Sequence, residues 1–150
     1  MTTGAVDRVF VDTNVLVFSS VVTAPLHAVA AQALNDLWSA GAELLLSRQI
    51  LREFLATLTR PQTFALPQTP AVLTAEIGRL QRQFTVLEDG SGVTAQLLQL
   101  LAAVPLGGKQ VHDANIVATM LHHSVPKLLT HNTADFARFS SFVTVLPLVP

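Results

Sequence analysis

Along the 150-residue chain, short apolar runs alternate with longer segments whose apolar residues recur every three or four positions. Val9–Val11 is β-branched and aromatic and reads as a buried strand. Pro25 opens a helical stretch through Trp38, with Gly41 as its stop signal. Glu43–Leu46 reads as a second short strand. Ser47 reads as the N-cap of a helix to about Arg60, which Pro61 ends. The stretch Arg60–Pro70 holds three prolines and is predicted to be a loop. Val72–Phe84 is then a helix, Thr85–Leu87 a third strand before the Asp89-Gly90 turn, and Val93–Val104 a helix. After the turn Pro105–Gly108, a helix is expected from about Gln110 to Ser124, a strand over Lys127–Thr130, a short helix over Ala134–Phe139 and a last strand over Phe142–Leu146.

Strands that alternate with helices are expected to lie parallel, covered on both faces. Right-handed crossovers bring the strand ends to one edge of the sheet, and ligands of such folds bind at that edge. The pattern therefore predicts an α/β fold. One domain over residues 1–150 is expected, since there is no repeat, low-complexity tract or composition break.

Composition changes this picture in three ways. The chain has no cysteine, which excludes disulfide scaffolds and thiolate zinc sites and suits a reducing cytoplasm. The start MTTGAVDRVFVD lacks the basic and apolar segments of a signal peptide, and the apolar stretch Val9–Val22 is broken by Asp12 and Asn14. A soluble, cytoplasmic protein without a membrane span is expected. The net charge of −1 does not advertise a polyanion partner, so nucleic acid would need a local basic patch or a bound metal. Only 13% of residues are charged, against about 25–35% expected of the surface alone. Apolar surface left uncovered in a monomer motivates a protein partner or self-association.

With only ten acidic residues, their placement can be followed one by one. Asp12 directly follows the first strand and so stands at the carboxyl edge, where a loop can present it; a turn Asp bonding its own backbone is the other reading. On the helix after the second strand, Glu53 lies about 60° from Ile50, on the border of the apolar stripe. Asp113 lies within about 40° of Met120 and Val117, so it points into a buried stripe unless it is an N-cap. Asn132 and Asp135 follow the strand KLLT, and Asp135 can also cap the short helix. Four distant segments thus deliver oxygen ligands to one sheet edge. Crowded carboxylates raise one another's pKa, and a divalent cation such as Mg²⁺ or Mn²⁺ relieves that cost.

In this order and spacing, DTN, the helical RE pair, HDANIVATM and LLTHNTADF resemble the PIN-domain family, and within it the VapC-like toxins of bacterial toxin–antitoxin pairs. The resemblance spans Val9 to Leu146. It implies a three-layer α/β/α sandwich with a central, mainly parallel sheet, and a metal-dependent endoribonuclease. Catalytic positions carry over to Asp12, Glu53 and Asp113. The fourth, often acidic after T-x, holds Asn132 here, while Asp135 matches the family's DF pair. Either Asn132 through its carbonyl or Asp135 through water then completes the set. Asp12 and Asp113 would hold one or two Mg²⁺ or Mn²⁺ ions, with Thr13, Asn14 and Thr130 orienting them or their waters. Water attacking phosphorus in line would leave a 5′-phosphate and a 3′-hydroxyl.

RNA also needs cationic contacts, for which Arg48, Arg52, Lys109 and Arg138 are candidates. Single-stranded or looped RNA suits an open edge. The resemblance further implies a small antitoxin and a homodimer. LGGKQ around Lys109 is no phosphate-cradling loop, because Ala103 and Gln110 stand where Gly and Ser or Thr are required. The histidines lack the H-E-x-x-H pattern. A catalytically weak binding protein with the same fold is the alternative, motivated by Asn132 and the low surface charge.

Overall fold

The structure is a computed structural model that describes residues 5–150. Residues 1–4, part of the start judged above not to be a leader, lie outside it. Five strands form one parallel sheet: β1 (Arg8–Val11), β2 (Glu43–Ser47), β3 (Thr85–Leu87), β4 (Lys127–Thr130) and β5 (Thr144–Pro147), in the order β3-β2-β1-β4-β5. The three central strands are almost continuously apolar because both their faces are covered. Phe10 stands opposite Leu45 on one side and Leu128 on the other, all three without exposed surface. The edge strands are short, and β5 ends in Pro147, which limits edge-to-edge pairing with another chain.

The chain steps from β1 to β2 to β3 through α1 (Thr13–Ser20), α2 (His27–Ser39), α3 (Arg48–Leu58) and α4 (Pro70–Gln83). It then reverses, crossing to β4 through α5 (Ser91–Ala103) and α6 (Gln110–His122) and to β5 through α7 (Thr133–Phe136) and a 3₁₀ turn (Ala137–Phe139). Right-handed crossovers in opposite directions put the two helix groups on opposite faces. Accordingly α1 packs on α2 and α3, and α3 on α4, whereas α6 packs on α5 and α7. This is the expected α/β/α sandwich. No helix among the described residues is long and apolar enough to cross a membrane.

Most element ends follow their local chemistry. Ser47 caps α3, its hydroxyl accepting from Ile50 N, as read from the sequence. Gly41, at φ 85°, closes α2 with bonds from Ala42 N to Leu37 O and Gly41 N to Trp38 O. The same pattern ends α6 two residues before the expected Ser124, because Ser124 itself takes the left-handed conformation, φ 58°. The helix expected from Pro25 begins at His27, and the last strand starts at Thr144 rather than Phe142. The larger difference is α1. Asp12 is not held on a loop: Thr13–Ser20 is a helix and Asp12 is its N-cap. Its sequence TNVLVFSS is apolar almost all round, so no periodicity announces it, and three of its residues from Val15 to Val17 are buried.

Candidate active site

Strand order reverses between β1 and β4, the place where α/β sheets open a crevice at their carboxyl edge. Asp12 leaves β1 there and its backbone N–H still bonds to Leu129 O of β4 at 3.0 Å. Its side chain is buried and held from three sides. Oδ1 accepts from Thr13 N at 2.8 Å, and Oδ2 accepts from Thr130 Oγ1 at 2.8 Å and Asn14 Nδ2 at 3.2 Å. Burial pushes the Asp12 carboxyl above the usual range; the bonds from Thr130, the Thr13 backbone and Asn14 pull it down, and the charge of Glu53 pushes it up. Asn14 also ties the two crevice walls, its Oδ1 accepting from His131 N at 3.0 Å.

Glu53 projects from α3 on the border of its buried face, as its helical angle predicts. Thr13 Oγ1 donates to Glu53 Oε2 at 2.8 Å, and Gln49 Nε2 to Oε1 at 3.0 Å. Gln49 is buried and reaches across to α6, donating to His112 O at 2.9 Å and accepting from Asn115 Nδ2 at 2.8 Å. One amide and one hydroxyl thus hold Glu53 in place.

Asp113 is the fourth residue of α6 and not its N-cap, a position Lys109 fills. Its carboxyl is pushed up to about 6, by partial burial first and then by Asp135, Asp12 and Glu53, with Arg138 opposing. That mutual electrostatic cost arises because the acids face one space. A cleft of about 390 Å³ is lined by Asp12, Glu53, Asp113 and Asp135, together with Thr13, Asn14 and Asn132. Thr130 lies buried beneath it, accepting from Asn132 N at 3.0 Å. Asn132, not Asp135, occupies the N-cap position of α7, and it makes no side-chain capping bond. Both side chains therefore remain on the cleft wall.

The cations divide. Arg138 is near enough to act on Asp113, and Arg52 lines a neighbouring hollow with Glu53 and His112. Lys109 is exposed and does not line the cleft. Arg48 does not line the cleft and pairs on the surface with Glu88 at 2.8 Å, a partner 40 residues distant that proximity to the motif could not reveal. Two residues went unnoticed in the sequence. One is Gln49. The other is Arg60, which lines the cleft seven residues after Glu53, following Ala56 and Thr57 at the helical spacings of three and four. That spacing was a usable signal.

Among the described residues, no three His, Asp or Glu side chains stand close enough to grip one ion directly. The donor set is nevertheless all oxygen, and a small hard cation that keeps several waters is commonly held by one or two carboxylates. The cleft fits such an ion.

The PIN domain family model matches residues 9–141. The chain is a PIN-domain protein. Over 132 residues this PIN domain is 26% identical to Ribonuclease VapC24 of Mycobacterium tuberculosis, covering 86% of this chain and 89% of that one. Its fold is shared with VapBC-1 of nontypeable Haemophilus influenzae, at TM-score 0.68 and 16% identity, over 95% of this chain and 99% of that one. It is also shared with the sarcin-ricin loop cleaving toxin VapC20 of Mycobacterium tuberculosis, at TM-score 0.64 and 19% identity, over 93% of this chain and 99% of that one.

Proposed function

We propose that this PIN domain is the endoribonuclease toxin of a toxin–antitoxin pair, hydrolysing RNA phosphodiester bonds in the acidic cleft with Mg²⁺ or Mn²⁺. The observation that carries the reading is the convergence of Asp12, Glu53, Asp113 and Asp135, from four separate segments, on one cleft at the switch point. The ribonuclease name of the Mycobacterium tuberculosis relative supports it.

Asp12 and Asp113 would hold the ion, with Asn132 and Asp135 available to its waters. A bound divalent ion supplies Lewis-acid charge at phosphorus and makes water easier to deprotonate. The chain supplies the positioning. Thr130, Asn14 and the Thr13 backbone fix both oxygens of Asp12, and Thr13 and Gln49 fix Glu53 where it can accept a proton from water. Arg60 and Arg138 offset the phosphate charge. Purified protein with an unstructured RNA is expected to generate 5′-phosphate ends in Mn²⁺ and none in EDTA. Intact RNA in both would overturn the reading and favour the second one, a PIN-fold binding protein acting through RNA or protein partners. Neutral Asn132 at a cleft position is the feature that favours that second reading.

Gln49→Leu tests the positioning. It leaves Glu53 with one donor, removes a donor from His112 O and leaves Asn115 Nδ2 with Asp89 alone, so the expected loss is about 1–3 kcal/mol of stability. The cleavage rate at saturating Mn²⁺ is expected to fall about 10-fold or more, because Gln49 holds the proton acceptor Glu53. An unchanged rate at saturating metal would confine Gln49 to packing.

The antitoxin rests on a different observation. The Haemophilus influenzae neighbour is a VapBC complex, and this chain leaves Leu66 and Val22 largely exposed and an apolar furrow between α3 and α4 lined by Leu55, Leu73 and Ile77. A small antitoxin covering apolar surface would lower its free energy, and the same uncovered surface supports a homodimer. Light scattering on the protein alone reads the second directly.

A further inference from the structure

The cleft has an aromatic side that metal chemistry does not use. Phe18 of α1 and Phe64 of the loop between α3 and α4 both line it and are both half-buried. Their ring centroids are 6.4 Å apart and nearly perpendicular, at 67°. Phe18 meets the exposed His131, next to Asn132, in the same way at 5.6 Å and 75°. Phe18 and Phe64 thus form an aromatic side of the cleft, and His131, outside the lining, braces Phe18 edge to face.

The loop that brings Phe64 there is fixed. Gln62 N donates to Ala65 O at 2.8 Å and Ala65 N to Gln62 O at 3.3 Å, which folds the chain into a tight turn with Phe64 inside it. Thr23 Oγ1 donates to Phe64 O at 2.6 Å, and Gln62 Nε2 to Thr57 O at 2.8 Å. A ring wanted only for packing would be sunk like Phe10 or Phe54, which have no exposed surface. Phe18 and Phe64 instead keep ring area facing the space beside the acids. Arg60 lies on the same side and, among the described residues, makes no ion pair.

We propose that Phe18 and Phe64, with His131 bracing Phe18, form a stacking wall for one unpaired nucleobase adjoining the cleaved phosphodiester, with Arg60 meeting a neighbouring phosphate. This rests on the ribonuclease reading and adds a substrate requirement to it. Aromatic rings beside a cation are the combination by which proteins hold single-stranded nucleic acid, because every base offers a π-face. A base inside a duplex cannot be laid against the wall, so the cleaved bond must lie in a single strand, loop or bulge. Stacking tolerates any base, so the wall selects for an unpaired nucleotide rather than for a sequence.

The test begins with an end-labelled, unstructured RNA whose cleavage site by the wild-type protein in Mn²⁺ is mapped. Two versions are then made, each abasic at one nucleotide flanking that bond. One version is expected to lose about 10-fold or more in kcat/KM, mainly through KM. Phe64→Leu, which keeps apolar packing, is expected to cleave intact RNA as poorly as wild type cleaves that abasic RNA, and to show no further abasic loss. Phe64→Tyr is expected to restore both. Binding of intact and abasic RNA to the wild type in EDTA, by fluorescence anisotropy, is expected to differ in the same direction. Equal cleavage of all RNAs by all variants, with 5′-phosphate ends still formed, would overturn the wall and leave the ribonuclease standing. Failure to cleave any RNA would overturn the ribonuclease reading, and equal binding of the unstructured RNA and a fully abasic strand of the same length would then overturn the wall as well.

Discussion

Asp113→Asn is expected to lower RNA cleavage by about 100- to 1000-fold and, at the same time, to make the metal-free protein more stable. The loss follows from the role: a carboxylate holding the ion supports several kcal/mol of charge stabilisation, and about 3–4 kcal/mol is that range of rates. The gain follows from the cost of the charge. Asp113 is partly buried and faces Asp135, Asp12 and Glu53, which hold its folded-state pKa at about 6, above the ordinary carboxyl value of 3.8. Folding therefore favours the protonated carboxyl. Its stabilising contribution is fully present below about pH 4 and is lost as pH rises through about 6. A shift of this size corresponds to roughly 3 kcal/mol, but the group is half open to solvent, and screening brings the expected gain nearer about 1 kcal/mol. For a chain of this length that is about 2–4 °C in Tm at pH 7.5. At pH 4 the two proteins are expected to melt together. Millimolar Mg²⁺ is expected to raise the Tm of the wild type and not of the variant. A variant that melts lower than wild type at pH 7.5 without metal would show that Asp113 is paired with a cation or donor and is not part of a repulsive cluster.

The same electrostatic cost explains how far the site was legible. Charged residues inside apolar segments are unfavourable unless something uses them, so Asp12 and Asp113 stood out against a chain poor in charge. β1, β2 and β4 were legible for a related reason, since strands covered on both faces have no polar alternation to confuse them with a surface. α1 was hidden by that very property: a short buried helix and a buried strand are both apolar runs. The two readings of Asp12, a capping turn residue or a functional carboxylate, are also not rivals in the structure. It caps Thr13 N and lines the cleft with the same side chain. Roles that depend on tertiary contact were illegible in principle. Nothing near Arg48 in the chain announces Glu88 as its partner, and nothing in QTFA announces that Thr23 pins Phe64 beside Phe18.

The largest effect on stability is expected at a residue that never touches the cleft. Phe54 follows Glu53 on α3, has no exposed surface and belongs to the hydrophobic core, and α3 itself packs on α1 and β2. Phe54→Ala removes a full ring from a core that cannot close the gap, because the neighbouring sheet is held in register on both sides, Phe10 against Leu45 and Leu128. The expected cost is about 3–5 kcal/mol, or roughly 6–20 °C in Tm, a large share of a typical domain's whole stability. Urea unfolding is expected to show a lower midpoint with an unchanged slope, which assigns the loss to the native state. Phe54→Leu fills most of the volume and is expected to recover most of that loss. The consequence for function runs through geometry. α3 positions Glu53 with the bonds of Thr13 and Gln49, and each needs the helix seated within a few tenths of an ångström. Cleavage by Phe54→Ala is therefore expected to fall well below the wild-type rate even at 15 °C, where the variant is still folded. Full activity at that temperature would mean that Glu53 is held by its hydrogen bonds alone, and that the seating of α3 contributes stability without contributing alignment.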